Sequence, residues 1–192
     1  MKTRLTTVVP STVLALSVLL SVVLVLADDA EKPAPAAPAE RLWLEQLVGE
    51  WNVVSEASMG PDTEPMRAEG SETVRKLGDQ WFIAEGRGAW AGTVVHWVLT
   101  LGYDPNEKRI VGTWIDSSQP KLWSYVGEFD DAQRVLTLNT KGPSFGDPTK
   151  IVAYRETLEV KSKDHRTFVS SIQGEDGQWT SFMRVDYRRK AK

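Results

Sequence analysis

Two histidines and a scattered set of carboxylates are the side chains of this sequence best suited to chemistry. His96 lies within the apolar run "GTVVHWVLT", where an imidazole could ligate haem or a metal ion or act as a general base. No other His, Cys or carboxylate stands at ligand spacing from it, so a hydrogen-bonded structural role is the alternative. His165 lies in the turn-like stretch "KDHR", where we expect a solvated side chain.

The candidate acids stand on separate segments and converge only if the fold brings them to one interior: Glu56, Glu72, Glu85, Asp116 and Glu128. The sequence contains no nucleophile elbow, P-loop or His-Glu-x-x-His motif. The Gly-rich stretch "GRGAWAG" (86–92) lacks the following helix that a phosphate cradle needs, and we interpret it as a hairpin connection with a mobile tip. We therefore assign no catalytic residue, metal site or cofactor.

Composition indicates one globular domain with additional non-globular sequence. The 192 residues are 41% hydrophobic and 26% charged, and they include 8 Trp and no Cys. The absence of Cys excludes disulfides, thiolate metal sites, thiol nucleophiles and a lipoprotein anchor. Eight large indole rings need either an interior to fill or a cavity wall to form.

The N-terminus has the pattern of an export signal. A basic start precedes an apolar run that ends in "VLA", which predicts a signal peptide over residues 1–27, with an uncleaved anchor as the alternative. Residues 28–40 are rich in Pro and Ala and are predicted to be a linker. Both alternatives predict a periplasmic or secreted domain. Removal of Lys2 and Arg4 would move the formal charge from −3 to −5, which argues against a nucleic acid partner.

Residues 41–190 are predicted to form an all-β domain. "RLWLEQL" has enough apolar residues for a short N-terminal helical turn. After it, β-like runs alternate with turns such as "DPNEK" and "EDGQ". About ten strands joined by short turns favour an up-and-down antiparallel barrel, with a two-sheet sandwich as the alternative. The predicted strands are 50–58, 68–76, 80–87, 92–103, 109–117, 121–129, 134–140, 149–161, 166–173 and 178–189.

The stretch "LVGEW" resembles the opening of lipocalin-like (calycin) barrels. Gly49 would allow a tight backbone bend, and Trp51 would plug the barrel floor. The resemblance implies that a basic residue of the last strand packs over this Trp, which makes Arg188 or Arg189 the candidate. The segments "LGDQW", "LGYDPNEKRIVGTWIDS", "LWSYVGEFD" and "DYRRK" extend the resemblance to the bacterial domain of unknown function 1579. It implies a calycin-like fold and no particular activity.

The aromatic faces of three strands suggest what the barrel interior contains. Side chains alternate along a strand, so each strand has one face that is richer in rings. If these faces point inward, they line a lumen that suits a small apolar or aromatic ligand. A packed core is the alternative. The candidate lumen residues are Trp114, Trp123, Tyr125, Trp179, Met183, Asp116 and His96.

Three functional classes follow. We expect an exported binding protein whose partner is a small apolar or aromatic ligand, with membrane contact only if the N-terminal segment stays uncleaved. A small enzyme that uses lumen carboxylates with His96 is the second class. A barrel without ligand, with a structural or protein-interaction role, is the third. The oligomeric state is left open.

Overall fold

The computed structural model describes residues 37–58 and 64–191, so the predicted signal peptide and residues 28–36 of the predicted linker lie outside the described residues. Within these ranges, one helix, α1 (Ala39–Glu45), precedes ten strands. Each of the ten strands predicted from the sequence is present, and their ends differ from the prediction by at most three residues. The strands are β1 (Gly49–Ala57), β2 (Met66–Leu77), β3 (Trp81–Trp90), β4 (Thr93–Asp104), β5 (Arg109–Asp116), β6 (Gln119–Phe129), β7 (Val135–Pro143), β8 (Ile151–Ser162), β9 (His165–Gln173) and β10 (Trp179–Arg189).

The strands form a closed antiparallel barrel. Each strand pairs with its neighbours in the chain, and β1 also pairs with β10, in a register that places Trp51 opposite Arg189. Closure gives every strand a neighbour on both sides, so the barrel has no edge strand, which explains how so long a meander avoids edge-to-edge association. The barrel prediction is confirmed, and the sandwich alternative is excluded.

Within the described residues, short turns join most of the strands, as their sequences predict. In "DPNEK" the Asp104 carboxylate accepts hydrogen bonds from the backbone N–H groups of Asn106 (2.8 Å) and Glu107 (3.2 Å). The segment 86–92 differs from its interpretation as a connection. Residues 86–90 belong to β3 and pair with β4, and only Ala91 and Gly92 form the turn. Small residues in this part of β3 serve the packing of a neighbouring ring rather than mobility.

Helix α1 covers the barrel end at which β1 begins. Its Trp43 and Leu44 are buried, as is Leu47 after it, and the Trp43 ring meets Phe129 edge-to-face at 5.0 Å between centroids. Ala39 and Glu40, the last residues of the predicted linker, belong to this helix. No helix in the described ranges has the length and apolarity needed to cross a bilayer.

The floor beside α1 is built around Trp51, whose side chain is 1% exposed. Its indole N–H donates to the Leu47 carbonyl at 2.8 Å, which fixes the chain between helix and strand. The Arg189 guanidinium lies 4.2 Å from the Trp51 ring centroid and donates to the Val48 carbonyl at 2.6 Å. Gly49 has φ 136°, and a Cβ there would lie 2.2 Å from Arg189 Nη1. A glycine is needed for both reasons.

Arg188 has a different position from Arg189. Strand alternation turns its side chain away from the floor, where it is exposed and bonds Asp186 at 2.9 Å. Asp186 also lies 2.7 Å from His165 Nε2. His165, predicted to be a solvated turn residue, is the first residue of β9 and is partly buried beside this carboxylate.

Candidate functional site

The upper half of the barrel, away from α1, contains a cavity of about 470 Å³. It extends from the buried rings of Phe168 and Tyr187 to Phe145, which is half exposed in the loop between β7 and β8. This volume lies in the range of cavities that hold small molecules. Of the residues proposed from the sequence for the lumen, those lining the cavity are Trp114, Asp116, Trp123, Tyr125 and Met183.

Two of the sequence candidates do not line the cavity. Trp179 stacks with the guanidinium of Arg155, 4.0 Å from its ring centroid. A register shift between Ser181 and Met183 breaks the alternation that placed Trp179 on the same face as Met183, because a bulge adds one residue. His96 is exposed on the outside of β4, and the adjacent Trp97 points into the barrel instead.

Stacked and edge-to-face rings form the cavity wall. Trp97 and Trp114 stack with their ring centroids 6.1 Å apart, and Trp123 meets Tyr154 edge-to-face at 5.1 Å. The Trp97 ring lies directly on β3, where a Cβ at Gly86 would come within 2.2 Å of it. The resulting wall presents aromatic rings from several strands to the cavity.

The wall is weakest between β6 and β7. These strands pair only over Val126–Phe129 on the β6 side, so the part of β6 nearest the mouth has no backbone partner on β7. The Trp123 ring lies across this part and packs against Gly142 of β7. The contact is so close that a Cβ at Gly142 would lie 2.2 Å from the ring. The indole therefore covers an interval in which the sheet itself is unpaired.

Asp116 is the carboxylate fixed at the cavity mouth. It accepts hydrogen bonds from the Ser118 backbone N–H at 2.8 Å, the Gln119 amide at 3.1 Å and the Trp114 indole at 3.2 Å. Burial raises the pKa of Asp116, but the hydrogen bonds from Ser118, Gln119 and Trp114 outweigh burial and leave that pKa below its usual value. Asp116 is therefore a permanent negative charge at neutral pH.

Glu156 is the second carboxylate of the lumen, and it lies deeper. It is 7% exposed, and burial raises its pKa to about 7, against the opposing effect of a hydrogen bond from Ser170. Its Oε2 has no hydrogen-bond partner among the described residues. A buried carboxylate with an unfilled acceptor is rare in folded proteins and is a candidate binding group.

An ion pair separates this lumen from the floor. Glu72 and Arg166 are both about 98% buried and bond each other, and the Trp97 indole N–H donates to Glu72 at 2.8 Å. The Arg166 guanidinium also lies 3.8 Å from the Tyr187 ring centroid and 4.7 Å from that of Trp51. Neither charge lines the cavity. The pair is a buried structural unit whose two charges neutralise each other.

The other candidate carboxylates do not converge. Glu56 pairs with Arg67 and Glu85 with Arg75 on the exposed surface, and Glu128 is exposed on β6. Within the described residues, no group of three or more His, Cys, Asp or Glu side chains is placed to hold a metal ion. With His96 outside, the interior acids also lack the imidazole of the enzyme alternative.

Sequence reasoning missed several cavity residues. Tyr154 and Glu156 share a face of β8, and the alternation "YRETLEV" would have placed both beside the buried Leu158. Phe182 lines the cavity because of the bulge in β10, for which the sequence has no local signal. Arg166 is the first residue of the predicted strand 166–173, and no local signal distinguishes it as one half of the interior ion pair with Glu72.

Comparison with known proteins identifies the fold and one family. The family described as "Protein of unknown function (DUF1579)" matches residues 36–189. The crystal structure of Rv2717c from M. tuberculosis is similar, with a TM-score of 0.58 and 12% identity over 81% of this chain and 100% of that chain. A redesigned β-barrel, mFAP0, bound to DFHBI, has a TM-score of 0.40 and 13% identity over 75% and 99% of the respective chains. The curated proteins contain no match.

Proposed function

Given that the chain belongs to the family described as "Protein of unknown function (DUF1579)", we propose that it binds a small apolar or aromatic molecule in the barrel lumen. The observation that carries the proposal is the cavity of about 470 Å³ above the Glu72–Arg166 pair. A barrel whose rings only filled a core would have no such space.

The distribution of packing within the barrel supports a ligand site over a solid core. The floor half is filled by fully buried side chains such as Leu136, Leu138 and Leu158. The mouth half contains more aromatic rings, yet these rings surround space instead of filling it. Large rings around an unfilled space lose dispersion contacts, and a flat ligand would restore them.

We expect a neutral fluorophore, N-phenyl-1-naphthylamine, to bind with one site per chain and to quench the Trp emission saturably. Trp123→Ala should weaken that binding about tenfold, because it removes one wall of the cavity and the ring that covers the β6–β7 interval. Fluorescence titration of the purified chain measures both effects.

Trp179→Ala is the matched control, since it removes an indole of β10 that does not line the cavity. Its affinity for the fluorophore should stay within about twofold of the unmodified chain. The proposal fails if no saturable uptake occurs, or if both variants weaken binding equally. A Trp123→Ala variant that loses several kcal/mol of stability would indicate a packed core instead.

Export is the second part of the proposed function. We propose that the domain works outside the cytoplasm, on the strength of the apolar run and the "VLA" site before residue 28. The chain should be cleaved after Ala27 and accumulate in the periplasmic or secreted fraction. Intact-mass analysis of the product from its own host decides this. A full-length product in the membrane fraction would contradict cleavage and favour the anchored alternative.

A further inference from the structure

On the premise of the proposed lumen site, we infer that the ligand carries a cationic amine on its apolar or aromatic body, and that the ammonium group binds at Glu156. This inference concerns the chemical class of the ligand. It is drawn from the charges that line the cavity, the hydrogen bonds of Glu156 and the rings around it.

The charges of the cavity have one sign. Its lining contains the carboxylates of Asp116 and Glu156, and no Lys, Arg or His side chain lines it among the described residues. Glu69 contributes only backbone, because its side chain is exposed on the outer face and pairs with Arg67. Arg166 lies below, but its charge is matched by Glu72. An anionic ligand would meet like charge without a free cation, whereas an ammonium would be attracted in a space of reduced dielectric.

Glu156 has the geometry of an unfilled acceptor. It lines the cavity, is more than nine-tenths buried, and receives a hydrogen bond from Ser170, while its Oε2 has no partner among the described residues. A buried oxygen without a hydrogen bond raises the free energy of the folded chain, and a ligand N–H that donates to this oxygen removes that cost. A primary amine has several N–H groups and a compact charge, which suits this position.

The rings around the lumen suit the same class of ligand. Cations are attracted to the faces of Trp and Tyr rings, and this attraction strengthens where water is excluded. Trp97, Trp114, Trp123 and Tyr154 all line the cavity. The same rings can therefore contact both the ammonium group and the apolar part of the ligand.

Binding of an amine at Glu156 should depend on pH, and the groups around Glu156 do not titrate near neutral pH. Burial and the Glu156 charge raise the pKa of the Tyr125 and Tyr154 hydroxyls, Asp116 adds to this for Tyr125, and burial raises that of Tyr187. These phenols therefore stay neutral well above pH 7. From the adjacent strands, Ser170 and Leu138 face Glu156 and do not titrate.

Glu156 is thus the lumen group that changes charge near neutrality. Its carboxylate is protonated below its pKa of about 7 and charged above it, so affinity for an amine rises with pH through 7 and then levels. Asp116, whose pKa is below its usual value, is charged over the same range and contributes no slope. The expected gain between about pH 5.5 and about pH 8.5 is roughly ten- to thirtyfold for an amine that stays protonated.

The test uses three naphthalene compounds of nearly equal size: 2-(1-naphthyl)ethylamine, 2-(1-naphthyl)ethanol and 1-naphthylacetate. Each competes with bound N-phenyl-1-naphthylamine on the full mature chain at the two pH values. The amine should compete best at the higher pH, and the carboxylate should compete worst. Uptake of the neutral fluorophore in the same wells reports whether the lumen is intact.

Glu156→Gln keeps the side chain's shape and should abolish both the preference for the amine and its pH slope. Asp116→Asn should lower amine affinity at both pH values and retain the slope. Glu128→Gln, on the exposed face of β6, is the matched control and should change neither. Together these variants separate binding at Glu156 from a general effect of acidic charge.

The outcomes distinguish the two proposals. If the fluorophore binds but the amine and the carboxylate compete equally, or the slope persists in Glu156→Gln, the amine inference is overturned and the lumen site stands. If neither the fluorophore nor any of the three compounds binds, both proposals are overturned. A preference for the amine that Glu156→Gln removes supports the inference.

Discussion

Arg166→Met should lower the free energy of unfolding by about 3–5 kcal/mol, the usual cost of removing one partner of a buried ion pair. The substitution leaves the Glu72 carboxylate about 98% buried, with the Trp97 N–H at 2.8 Å as its remaining partner. It also removes the guanidinium that packs over the Trp51 and Tyr187 rings. Urea denaturation with linear extrapolation measures the loss.

The double variant Glu72→Met/Arg166→Met is the control for this prediction. Two apolar side chains of similar length leave no charge uncompensated, so the double variant should be more stable than Arg166→Met. Equal losses in the two would show that the packing of Arg166 matters and the charge pair does not. A loss below about 1 kcal/mol in the single variant would contradict the buried pair itself.

Trp51→Ala should also destabilise the domain by about 3–5 kcal/mol, because it removes a buried indole at the point where helix, first strand and last strand meet. The ring is 1% exposed, donates to the Leu47 carbonyl at 2.8 Å and lies under the Arg189 guanidinium. Its loss would leave a cavity in the floor and free the Arg189 side chain. Thermal and urea denaturation of the mature chain measure the effect.

Trp81→Ala is the matched control for the floor. Trp81 is 40% exposed at the start of β3, so its truncation should cost about 1 kcal/mol or less. Ligand uptake by folded Trp51→Ala should remain close to that of the unmodified chain, because Trp51 does not line the cavity. A melting temperature within about a degree of the unmodified chain would show that the floor does not depend on this ring.

The number of strands and the turns between them follow from local sequence. Alternation of side chains and the carboxylate of Asp104 act over a few residues, so they are visible without knowledge of distant partners. The same alternation explains why Trp114, Asp116, Trp123 and Tyr125 could be grouped as one interior set. One face of β5 and one face of β6 are aromatic, and these two neighbouring strands contribute those faces to one cavity.

Where alternation is broken, the sequence misleads. The bulge between Ser181 and Met183 turns Trp179 away from the cavity and brings Phe182 to it. His96 stood out as a rare residue type, but its strand face was the outer one. Which residues share one face of a strand is a local property, because side chains alternate along the strand. Which of its two faces is inward, and where an extra residue is absorbed, depend on pairing with other strands.

Local periodicity and turn chemistry were enough to predict ten strands, a helical entry and an aromatic set of side chains, and they favoured a barrel while leaving a sandwich open. The contact between Glu72 and Arg166, which are 94 residues apart in the chain, arises from the pairing of distant strands and has no local signal. The same holds for the burial of Glu156, which raises its pKa to about 7, and for the space that the rings surround. Burial, ion pairing and cavity volume depend on barrel closure and register, which are properties of the whole set of strands and of no single segment.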